Sequence, residues 1–319
     1  MSFYAIIYKG ILAMKIKRAL ATVLIVSTAL FCVSCRKGGN TGSDSSGLMP
    51  SNVQTKKIDV MKDWKDLNDP REKFPPAGTQ TGETSPRIVK TKYETREIIV
   101  ADIVPTEMGY AVDPTGATDS TDGIQQALYD CYYGGGGTVF LPTGNYAITD
   151  TITIPQGVTL RGDWQDPDIG TEYGTVFSVW MDSSEEDAGG AFSIYDSAGI
   201  VGVTVYYPFQ TLYEVLPYPF TFYVANTSQV ITIRDITVIN GYRGIGTSVE
   251  IPHEILIVDN FKGTFLKSGM ELNNQSDAGT VESVKISSKY WKEASAEYMN
   301  APVESEIDNY VKKNATGLI

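Results

Sequence analysis

The chain has 319 residues, 42% of them apolar, and a formal net charge of −12. That length supplies one large domain or two ordinary ones with a core, and the acidity excludes nucleic acid as a partner, because neutralising a phosphate backbone needs a basic face. A neutral glycan or a cationic partner is compatible with this charge.

At the amino end Lys15, Lys17 and Arg18 precede the apolar run ALATVLIVSTALFCV and then Ser34 and Cys35. The run is short of the about 20 apolar residues of a membrane span, so residues 1–34 read as a targeting segment, with Met14 as an alternative start. It resembles a bacterial lipoprotein signal, which implies export and lipid attachment at Cys35; Arg36 after it implies the outer membrane. An ordinary secretory signal or an uncleaved anchor is the alternative reading. Cys131 shares a helical face with Ile124, Ala127 and Leu128 and is expected to be buried, not reactive.

Residues 35–95 are rich in Gly, Ser, Thr, Pro and Lys and read as a flexible tether, with one short helix in VMKDWKDLNDP. The folded domain is expected over 96–319, opening on the strand-like REIIVADI. DSTDGIQQALYDCYY has apolar residues at spacings of three and four and is expected to form a helix capped by Ser120 or Asp119. Gly134 to Gly137 follow that helix and precede a strand, the reverse of a phosphate-binding loop, so they are expected to be a turn.

From there short strand candidates run on with no further helix expected: TVFLP, YAITDTITIP, VTLRG, TVFSVWM, AFSIYD, IVGVTVYYP, FTFYVAN, VITIRDITVIN, EILIVDN and TVESVKIS. A doubly wound sheet, which needs helical crossovers, is excluded. An antiparallel sandwich and a parallel solenoid remain open, and VITIRDITVIN favours the solenoid: Ile231 and Ile233 alternate, Arg234-Asp235 bends the chain, and Ile236 and Val238 alternate again.

TDSTDGIQQAL, GGGTVFLPTGNY and TIPQGVTLRG, in that order, resemble the opening module of the pectate-lyase-like superfamily. The resemblance implies an all-β, right-handed parallel β-helix with one amino-terminal capping helix. GVTVYYPFQTLYEVLPYPFTF, IRDITVINGYRGIG and GTFLKSGMELNNQSDAGTVESVKISSKYW are similar to the first β-helix of proteins related to glycoside hydrolase family 55, which act on β-1,3-glucans. In that family the catalytic acid lies in a later half, so the resemblance implies catalytic carboxylates beyond Ile319 and a chain that stops early, with no capping element at its end.

Glycan contact is expected first at Tyr207, Gln210 and Tyr218, in a segment crowded with aromatics that can stack on sugars; interior packing is the competing reading. Arg234 and Arg243 are candidates to orient an acidic sugar, against ordinary ion pairing. Asp163, Asp166, Asp168 and Glu172 lack a full calcium-loop pattern and read as a solvated corner. His253, the only histidine, is expected to border a strand, and a single histidine excludes a multi-histidine metal site. No metal and no cofactor are expected. The reading is an exported polysaccharide-active β-helix protein of β-glucanase type, with neutral glucan as partner and a lipid anchor to the outer membrane. The alternatives are a non-catalytic glycan-binding or structural surface lipoprotein, and a lyase acting on pectin.

Overall fold

In the computed structural model of the chain the described residues are 86–170, 172–181, 189–224, 227–294 and 302–318. The targeting segment, Cys35 and the expected short helix in the tether lie outside them. The chain enters through a hairpin of β1 (Arg87–Ile88) and β2 (Val100–Ala101), which pair antiparallel. Then come β3 (Thr115–Asp119), helix α1 (Thr121–Tyr133), β4 (Gly137–Leu141), β5 (Gly144–Ile148), β6 (Ile152–Ile154) and β7 (Val158–Gly162). They are followed by β8 (Thr175–Val179), β9 (Gly190–Ile194), β10 (Gly199–Tyr206), β11 (Phe220–Val224), β12 (Thr227–Thr247) and β13 (His253–Glu271). The last elements are β14 (Thr280–Glu282), β15 (Lys285–Ile286), α2 (Lys289–Ala294), α3 (Glu304–Asn314) and β16 (Thr316–Leu318).

Every strand pairing from β3 onward is parallel. The registers fall into three ladders, one for each face of a coil, and the fold is a parallel β-helix. On the first face Val139, Leu160, Ile200, Ile233 and Val258 follow one another in register. On the second the order is Tyr146, Phe177, Val205 and Val238, and on the third Ile152, Phe192, Phe222, Ile245 and Met270. All belong to one buried core. Along each strand the interior residue alternates with an outward one, and stacking successive coils is what buries the apolar face. Inside, Phe177 and Phe192 lie 5.0 Å apart and Phe192 and Phe222 5.5 Å, and Phe222 meets Phe261 at 6.3 Å.

The corner between the first and second faces is set by backbone conformation. Gly202, Asp235, Asn260 and Ser283 follow the paired residues Val201, Arg234, Asp259 and Glu282, and all four have φ between 54° and 73°. Small or short polar side chains tolerate that left-handed region best, and Asn260 Nδ2 donates to Asp235 Oδ1 at 2.8 Å, tying one coil to the next. The bend expected at Arg234-Asp235 is this corner.

Two expectations about helices change in detail. The first amide of α1 is capped by Asp119, whose Oδ1 accepts from Thr121 N at 3.0 Å, whereas the Ser120 hydroxyl accepts from Asp113 N. The glycine run does end α1, and it turns where side chains have no room: Gly136 and Gly137 have φ of 90° and 134°, and a Cβ on Gly137 would sit 2.2 Å from Asp102 Oδ2. Near the other end α2 and α3 correct the expectation of one helix only. Trp291, Ala294 and Ile307 pack with Tyr173, Val176, Tyr206, Ile239 and Leu266 in a second apolar cluster. The folded unit also takes in residues 86–95, expected as tether.

Candidate functional site

Ile99, Ala101, Val104 and Phe140 form a small core of their own beside the β1–β2 hairpin. The residues between the two strands, 89–99, make a strap across the corner of the coil. Its anchor is Asp163, which immediately follows β7 and is only 4% exposed. The Asp163 carboxylate accepts from the backbone N–H of Lys92 at 2.6 Å and of Tyr93 at 3.3 Å, and from the Thr143 hydroxyl at 2.9 Å. A buried carboxylate needs such donors to offset its lost hydration. At the strap's surface Lys92 Nζ meets Glu172 at 2.5 Å, and Tyr93 Oη also donates to Glu172. The bond to Glu172 pushes the Lys92 ammonium up to about 12.

Between strap and coil lies a cleft of about 440 Å³. One wall is Thr91 to Arg96 with Ile99; the floor is Arg161, Gly162, Asp163, Trp164, Gln165, Asp166, Gly202, Asp235 and Asn260. A second pocket of about 310 Å³ shares Lys92 and Tyr93 and continues to Asn145 and Tyr173. The lining combines two aromatic rings, three cations, carboxylates and amides, the mixture that a hydroxyl-rich ligand uses for stacking and orientation. Trp164 is held in place: its Nε1 donates to Thr237 Oγ1 at 3.0 Å, and Lys262 Nζ stands 5.7 Å from the ring centre.

The acids of this corner are bound by lysines. Lys262, buried on the second face, contacts Asp166 Oδ1 at 2.5 Å and Asp168 Oδ2 at 2.9 Å. Lys285 meets Asp168 at 2.8 Å, and Lys289 also contacts it. Burial works against ionisation of Asp168, but hydrogen bonds from the three lysines outweigh it and hold the carboxyl well below the usual range. The corner expected to be solvated is a charge network joining β13, β15 and α2 to the loop after β7. Its acids spend their lone pairs on protein cations, which opposes a calcium loop.

Tyr207, Gln210 and Tyr218, expected at a glycan surface, are instead interior. They are 1%, 2% and 1% exposed. The Tyr207 hydroxyl contacts Thr221 Oγ1 at 2.9 Å, its ring centre lies 4.7 Å from that of Tyr218, and Gln210 makes paired bonds with Leu216 N and O. The physical reason is closure of the segment on itself: the Gln210–Leu216 bonds staple a loop whose rings then fill the coil's edge. Tyr213 alone of these rings stands fully in solvent.

Arg243 and Arg234 differ in their pairing. Arg243 makes a two-pronged contact with Glu271, Nε to Oε1 at 3.0 Å and Nη2 to Oε2 at 2.7 Å, and stacks 3.6 Å over the Phe220 ring. Burial again opposes ionisation, but Arg243 and Ser268 hold the Glu271 carboxyl below its ordinary value. Arg234 has Nη2 at 2.5 Å from Glu97 Oε1 and Nε at 3.5 Å from Asp235 Oδ2. His253 opens β13, is buried, and is pulled down from its ordinary pKa by that burial. Cys131 is buried in the main core, where lost hydration pushes the thiol up to about 12.

Arg161, Trp164 and the strap were missed as a set. Nothing in VTLRGDW marks it as a site, because the strap that completes it lies some seventy residues earlier. The one available signal is a tryptophan and three acids, Asp163, Asp166 and Asp168, in a short loop after a strand that ends in Arg-Gly.

Residues 108–289, more than half of the chain, match the model of the family described as rhamnogalacturonase A/epimerase, pectate lyase-like. The chain belongs to that family. The fold is thus a pectate-lyase-like one. Among curated proteins none matches. Solved structures that are similar include the A-module of mannuronan C-5 epimerase AlgE6 from Azotobacter vinelandii, at 14% identity and TM-score 0.36, over 58% of this chain and 62% of that module. The AlgE4 A-module of the same organism is similar at 11% identity and TM-score 0.25, covering 58% of this chain and 74% of that one. PfbA, a surface adhesin of Streptococcus pneumoniae, is similar at 11% identity and TM-score 0.27, covering 58% and 62%. The chain therefore spans less than two thirds of the AlgE6 module it matches.

Proposed function

We propose that this chain is the glycan-engaging part of an exported polysaccharide-active β-helix protein and that the sugar lies in the cleft beneath the strap. The observation that supports this is the open space of about 440 Å³ with Trp164 and Tyr93 among fixed polar groups. A β-1,3-glucan of the kind the sequence resemblance implies would stack a ring on Trp164 and meet Gln165, Asn260 and Arg96 with its hydroxyls. Binding of the sugar is the activity proposed for this cleft. Export and lipid attachment at Cys35 belong to the same proposal; Cys35→Ser should abolish membrane retention and incorporation of labelled palmitate, and unchanged labelling would remove that part.

The test of the glycan reading is calorimetric titration with laminarin. Binding that drops at least fivefold in Trp164→Ala supports it, because loss of one aromatic platform costs about 1–3 kcal/mol where rings stack. Equal binding by the two proteins contradicts it. A second reading, an acidic polysaccharide, is favoured by one observation: the cleft floor holds a buried arginine, Arg161.

A further inference from the structure

Arg161 and Arg234 occupy the same outward row of the first face, each paired in register with Val201. Like charges so placed repel, and Glu97 of the strap bridges them, at 3.3 Å from Arg161 Nη1 and 2.5 Å from Arg234 Nη2, while Asp235 lies 3.5 Å from Arg234 Nε. The two contacts are unequal. A good arginine–carboxylate pair is planar and two-pronged at about 2.7–2.9 Å, as Arg243 and Glu271 show in this same chain. Arg161 has only single long bonds, to Glu97 and to Thr95 Oγ1, both at 3.3 Å. Among the described residues its Nε–H, like that of Arg234, is buried without a hydrogen-bond partner, and the Arg161 side chain is only 8% exposed. Burial draws its pKa down, and Glu97 opposes that. A buried guanidinium so poorly satisfied is costly to the folded chain, yet it lines the cleft.

We propose that Arg161 is a carboxylate-binding subsite for an acidic sugar, and that Glu97 is its built-in occupant. In this scheme the uronate carboxylate pairs with Nε and Nη of Arg161 in the plane of the guanidinium. Glu97 then keeps Arg234 alone, and the strap carrying it moves outward. Residues 94–98 suit such a displacement because all five are exposed, Ile98 by 78%. The inference rests on the glycan reading of the cleft and names a chemical group that one of its positions takes.

The experiment is calorimetric titration of the full chain and of Glu97→Gln with tetragalacturonic acid, using laminaritetraose as the neutral probe. Removing the competing carboxylate should tighten tetragalacturonate binding at least fivefold and leave laminaritetraose binding within twofold. In the unaltered protein, tetragalacturonate should also shift the Arg161 Nε–Hε resonance, assigned through Arg161→Lys. This second readout serves if Glu97→Gln does not fold. Laminaritetraose binding with no gain for tetragalacturonate, or with a static Arg161 resonance, overturns the subsite and leaves the glycan cleft standing. If neither sugar binds, the cleft reading itself falls, and the subsite with it.

Discussion

Asp163→Ala isolates the contact that makes the cleft. Asp163 holds the strap by two backbone amides, those of Lys92 and Tyr93. Net hydrogen bonds to a charged acceptor are worth about 1.5–3 kcal/mol each, so with one of the two long, their joint loss is about 3–4 kcal/mol. The other ties of the strap, Lys92 and Tyr93 to Glu172 and Glu97 to Arg161 and Arg234, are the same in both proteins, and the Lys92–Glu172 pair, with side chains 55% and 58% exposed, is screened by solvent. With 1.4 kcal/mol per factor of ten, the strap should open at least 100-fold more often. Amide hydrogen exchange reads this directly: protection over residues 91–99 should fall by that factor, while the amides of β10 and β12 keep most of theirs. Asp163→Asn retains one acceptor oxygen and should lie between, near tenfold. Unchanged exchange over 91–99 in a folded Asp163→Ala protein would refute the anchoring argument, and with it the idea that the cleft is a built feature.

Phe222→Ala should lower stability to urea by about 4 kcal/mol, because it empties a fully buried site between Phe192 and Phe261; Tyr213→Ala, fully in solvent, should change it by less than about 0.5 kcal/mol. Asp168 gives a pH signature: its folded pKa is depressed, so its contribution is present above the unfolded value, about 4, and is lost as pH falls below it. Asp168→Asn should therefore cost about 1–2 kcal/mol at pH 7, since Lys262 keeps Asp166 and the other two lysines are solvent-screened, and the gap to the unaltered protein should narrow below about pH 4; a gap constant down to pH 3 would mean the lysines do not hold it.

The parts of the fold legible in the sequence are those that depend on local pattern. The alternation of Ile231, Ile233, Ile236 and Val238 gives interior positions, and all four are buried. The helix before the glycine run and the bend at Asp235 are also local, set by spacing and by left-handed backbone. The two later helices escaped because their signal is thin: Trp291 and Ala294 in a six-residue helix, and Ile307, Tyr310 and Val311 in a mostly polar one. The aromatic segment misled for a different reason. Composition shows that rings are present but not which way they face, and the Gln210–Leu216 staple turns Tyr207 and Tyr218 inward. The cleft was not legible, since its strap, floor and lysine network meet only when coils far apart in sequence are stacked.

The central claim is a place: glycan lies between residues 91–99 and the corner that carries Trp164. The measurement that tests it most directly is a crystal structure of the chain soaked with laminarihexaose or tetragalacturonic acid. The account predicts sugar density stacked on the Trp164 ring and within hydrogen-bond reach of Arg96 or Arg161. Sugar bound instead on the third face, beside Arg243 and Glu271, with the cleft empty, would contradict it.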